Sequence, residues 1–80
     1  MKKIILDGNL IIKDGHNYLK KILDVPDYYG ENLDAVYDCL TEIGHNTDII
    51  LKNDELVDKE IINTFKDASD ENPYISFKIN

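Results

Sequence analysis

Three short apolar runs constrain what this 80-residue chain can fold into. "KKIIL" (Lys2–Leu6), "DIILK" (Asp48–Lys52) and "YISFKI" (Tyr74–Ile79) have the length and β-branched content of strands. The stretches between them are far too long for hairpin turns and carry helical patterns instead, so the strands must pair in parallel through crossovers. The fold class is therefore α/β: one domain over residues 1–80, with a small three-stranded parallel sheet and flanking helices. Consecutive apolar residues in the first two runs predict strands covered on both faces. The third alternates, with Ile75, Phe77 and Ile79 towards the core.

Helix signals fill the connections. The Asp7–Gly8 pair after the first strand reads as a turn. "DGHNYLKKILDV" predicts a helix over Gly15–Leu23, with Asp14 as N-cap and Tyr18, Leu19, Ile22 and Leu23 inward. Pro26 keeps Val25 from continuing it. A second helix is predicted over Leu33–Ile43, capped by Asn32 and stopped by Gly44. A third, over Asp54–Ser69, places Val57, Ile61, Ile62, Phe65 and Ala68 at helical spacing.

Net charge is −7, and its placement matters more than its size. From Ile22 to Leu51 there are seven acids and no lysine or arginine, while the remaining residues hold nine acids and nine lysines. The whole excess lies in one segment, whose field repels nucleic acid and membrane phosphates and attracts a basic partner. No run approaches the roughly 20 apolar residues of a membrane-spanning helix. The N-terminal "MKKIILDG" lacks the apolar length and the cleavage pattern of a signal peptide. With one cysteine there is no internal disulfide, and a reducing, cytoplasmic location is expected.

On a helical wheel Val36, Cys39, Leu40 and Ile43 share one side of the second helix, with Leu33 and Ala35 at its edges. Tyr37, Thr41, Asp34, Asp38 and Glu42 share the other. Asp34, Asp38 and Glu42 follow at i, i+4 and i+8, a like-charge spacing that disfavours an isolated helix by a few tenths of a kcal/mol per pair, ~0.2–0.5. Asp38 is also a poor mid-helix residue and lies too far in to gain from the N-terminus. A solvated face explains the polarity but not that choice. The preceding tyrosines, Tyr28 and Tyr29, add the kind of aromatic area enriched at protein interfaces. A catalytic reading finds little support: His16 and His45 are far apart in sequence, Cys39 is on the inner side of its helix, and there is no metal-binding, phosphate-loop or cofactor motif. No catalytic residue, metal or cofactor is expected.

"VPDYYGENLDAVYDCLT", Val25 to Thr41, resembles the signature segment of the barstar family, intracellular inhibitors of secreted barnase-like ribonucleases. The resemblance implies a three-stranded parallel sheet flanked by helices, which agrees with the pattern above. It also implies a 1:1 complex with a basic ribonuclease, a free protein that is monomeric, and an acidic face that stands in for RNA phosphate. By matching position, Asp38 would enter the enzyme's phosphate site with Asp34 beside it, and Tyr28 would pack on the catalytic histidine. Asn32, Leu33, Tyr37 and Thr41 would complete the contact, and Asp67 in "TFKDA" would add a further acid. Departures from the family pattern are Tyr37 and Ile43 in place of tryptophan, Glu42 in place of glycine, and Asp67 in place of glutamate. The segment from Leu51 to Phe65 is too short for two full helices, so the family's third helix is shortened or absent. An alternative is a barstar-fold interaction module whose basic partner is not a ribonuclease.

Overall fold

The computed structural model describes residues 2–23 and 32–80. The chain runs through β1 (Lys2–Asp7), α1 (Gly8–Asp14), α2 (His16–Leu23), α3 (Leu33–Thr41), β2 (Thr47–Lys52), a 3-10 turn (Asp54–Leu56), α4 (Lys59–Glu71) and β3 (Ile75–Ile79). The sheet is parallel throughout, in the order β1-β2-β3. Its central register sets Ile4 beside Ile49 and Ile49 beside Phe77. The α/β architecture and the three strands are those expected from the sequence.

The core lies on one face of the sheet. Ile4, Leu6, Ile49, Leu51 and Ile75 bury against Ile11, Leu19, Leu23, Val36, Leu40, Val57, Ile62, Phe65 and Ala68. Phe65 of α4 stacks on Phe77 of β3 with ring centroids 5.4 Å apart, pinning the helix to the sheet. Two-sided coverage of β1 and β2 does not occur: Ile5 is 44% exposed and Ile50 only half-buried. Topology explains this. Strands added in one direction through right-handed crossovers leave their connecting helices on the same face. Ile79, expected inward, is exposed at the end of the edge strand β3.

The helices correct several expectations. Asp7–Gly8 is a helix start, with Asp7 Oδ1 accepting from the Asn9 N–H at 2.9 Å. A Cβ on Gly8 would overlap the Asn53 carbonyl, so only glycine lets α1 leave the strand so close to the end of β2. Asp14 is the last residue of α1 and not an N-cap; Gly15, at φ 57°, separates α1 from α2. Further on, α3 ends at Thr41, two residues before the expected stop at Ile43. The predicted Asp54–Ser69 helix is broken: a 3-10 turn precedes Val57, whose backbone is extended, and α4 begins at Lys59. Asp58 caps it through Glu60 N–H at 3.0 Å. Val57 is nonetheless buried, as its place in the pattern required. Where the family resemblance implied a shortened third helix, the chain has this single turn.

Candidate functional site

The surface of interest is built on α3. Asn32 fixes its start by accepting the Ala35 N–H on Oδ1 at 2.8 Å, and Asp34 lies in the first turn where the helix dipole favours an acid. Val36 and Leu40 are buried and anchor the inner side. Tyr37, Cys39 and Ile43 are half-buried against the core, while Asp34, Asp38 and Glu42 are exposed. Leu33 and Thr41 are half-buried at the margins. The Thr41 hydroxyl donates to the Asp38 carbonyl at 3.0 Å, which holds the last turn of the helix together below Asp38.

α4 packs beside α3 and completes the face. The Tyr37 phenol is raised above its usual value of 10, first by partial burial and then by the carboxylates of Glu71, Asp67 and Asp38. Tyr37 and Asp38 of α3 therefore share one negative surface with Asp67 of α4, three expected contact residues brought together from two helices. Asn32, Leu33, Asp34 and Thr41 are on α3 or at its start, while Tyr28 lies outside the described residues.

Glu71 is the member that sequence reasoning missed. It stands one turn beyond Asp67, at i+4, and that spacing was the available signal. Both α3 and α4 end without a basic residue in the last turn, Glu42 caps α3, and Glu71 closes α4. Acids at helix C-termini oppose the dipole. The carbonyl ends of two helices thus add their partial negative charge to the carboxylates, which makes a field suited to a cationic partner.

Chemically, the described part of the face presents charged acceptors and the Tyr37 phenol. Among the described residues no group of three or more His, Cys, Asp or Glu side chains could hold a metal ion. No described helix is long and apolar enough to cross a membrane. Carboxylates on a two-helix surface can meet arginine, lysine and protonated histidine of another protein through charge-assisted hydrogen bonds.

Comparison with known proteins fits this geometry. The family described as Barstar (barnase inhibitor) matches residues 4–78. YrdF of Bacillus subtilis (strain 168), provisionally named a ribonuclease inhibitor, is 50% identical over 58 residues. That match covers 69% of this chain and 64% of the relative, so the chain spans somewhat less than two thirds of the relative's length. No solved structure matches it. With the family pattern extending over nearly all of its residues and the parallel three-stranded sheet in place, the chain belongs to the barstar family.

Proposed function

We propose that this protein is an intracellular inhibitor that forms a 1:1 complex with a barnase-like ribonuclease and occludes its active site. The observation that carries the reading is the convergence of Tyr37 and Asp38 from α3 with Asp67 from α4 on one acidic surface, in a chain of the barnase-inhibitor family. A ribonuclease active site gathers cations to hold phosphate, and a rigid set of carboxylates can occupy the same places. Asp38, at the centre of the exposed stripe, takes the phosphate position, and Asp34 pairs with a neighbouring cation. Tyr28 covers the catalytic histidine. Asn32, Leu33, Tyr37 and Thr41 supply the surrounding contact, with Asp67 adding charge from the second helix.

The reading is consistent with a stiff platform, since the stripe is carried on a capped helix whose inner side is buried. Preorganisation of that kind reduces the ordering that binding would otherwise require. Titrating an intact barnase-type ribonuclease with the protein tests it: RNA cleavage should fall linearly and vanish at equimolar inhibitor. Full cleavage at a large excess of the protein contradicts the reading, and co-purification with a basic protein lacking nuclease activity would point to an interaction module instead.

A further inference from the structure

The C-terminus of α3 does not end on Gly44, as the pattern suggested, but on a side chain from elsewhere in the chain. Asn72 is 5% exposed and follows directly after α4. Its Nδ2 donates to the carbonyls of Leu40 at 2.9 Å and Ile43 at 2.8 Å, with Thr41 at 3.4 Å. Its Oδ1 accepts the Tyr74 N–H at 2.9 Å. Its backbone N–H donates to Ala68 of α4 at 2.9 Å, and its carbonyl accepts from Ile75 at 3.2 Å. One residue therefore ties the end of α3, the end of α4 and the start of β3.

The last carbonyls of a helix need partners, and water or a glycine turn would ordinarily supply them. Here a buried carboxamide supplies them, and its planar, short geometry leaves little freedom. The turn it holds includes Thr41, whose hydroxyl in turn holds the Asp38 carbonyl. The helix it extends carries Asp67 and Glu71. We propose that Asn72 is a positioning residue that sets the spacing between the α3 and α4 halves of the acidic face, a role whose consequence for binding rests on the function proposed above. A leucine could fill the same volume but would take the side-chain donor away from those carbonyls, leaving Leu40 its backbone donors such as the Ile43 N–H at 3.3 Å. Aspartate would set a carboxylate against them, and glutamine is one methylene too long.

A partner-free readout comes first. NMR titration of the Tyr37 phenol reports on how closely α4 packs against α3, because its burial and then the Glu71 and Asp67 carboxylates of α4 hold it above 10. In Asn72→Ala the titration should move back towards 10, whereas Ile4→Val, a mild core change in β1 away from the face, should leave it in place. Identical Tyr37 titrations in the unmutated protein and Asn72→Ala would overturn the proposal. If Asn72→Ala does not fold, slow solvent exchange of the Asn72 carboxamide protons in the unmutated protein supports the clamp, and exchange at free-amide rates overturns it. With a barnase-type ribonuclease, Asn72→Ala should weaken binding about tenfold and be non-additive with Asp67→Ala, as expected for residues in one network. Strict additivity of the two substitutions contradicts the positioning role. If the unmutated protein binds no ribonuclease, the proposed function fails, and the Tyr37 titration still decides the role of Asn72.

Discussion

Two exposed surfaces of this small protein carry charge in opposite ways. On the open face of the sheet, Lys3 stands in register with Asp48, and Asp7 with Lys52. Asp48 also accepts a hydrogen bond from the Ser76 hydroxyl at 2.7 Å. Opposite charges sit across neighbouring strands, as sheet stability favours. On the α3–α4 face the acids are placed at i and i+4 from one another, and both helices end without a basic residue. The first surface is what a chain does with charge when folding is the only demand. The second accepts electrostatic repulsion that folding does not reward, and the basic partner proposed above would account for it.

The largest effect is expected at the support beneath the acidic face. Phe65 is 1% exposed and stacks on Phe77, so Phe65→Ala should destabilise the protein by about 3–5 kcal/mol, measured by chemical unfolding. A smaller loss would mean that the face does not depend on this anchor. Next in size is the cap of α3: Asn32→Ala removes the acceptor for the Ala35 N–H and should cost about 1 kcal/mol. The smallest effect concerns Tyr37. Its phenol is raised above 10 in the folded protein, so the folded state holds that proton more tightly than the unfolded chain. That contribution is fully present below the unfolded value and is lost as pH rises through the folded one. Stability of the native protein should therefore fall more steeply above about pH 10 than that of Tyr37→Phe, and equal alkaline slopes would mean that neither burial nor the carboxylates raise the phenol.

Much of the fold was legible because the apolar runs and helical periods agree locally with the final architecture. The parallel sheet, the inward faces of α2 and α4, and the N-cap Asn32 follow from residue pattern alone. α1 was hidden because Asp-Gly is both a turn signal and a cap followed by a residue that can pack closely, and only the tertiary contact at Asn53 separates the two. The open sheet face was misjudged because consecutive isoleucines do not reveal how many sides are covered; topology does. At the site, the α3 stripe could be seen on a wheel, and Asp67 through the family resemblance. The pairing of α3 with α4 through Asn72 could not, since the residues that meet are about thirty positions apart and no local signal links them.

In the proposed complex the clustered acids of the α3–α4 face, and not the protein's acidity in general, occupy the ribonuclease active site. The direct measurement is the dissociation constant of a barnase-type ribonuclease for the unmutated protein, Asp38→Ala and Asp48→Ala under identical salt conditions. Both substitutions remove one negative charge, one from each of the two surfaces. Asp38→Ala should weaken binding about 30-fold or more, in the range of interface hot spots, and Asp48→Ala should change it by no more than about twofold. Equal losses from the two would contradict it.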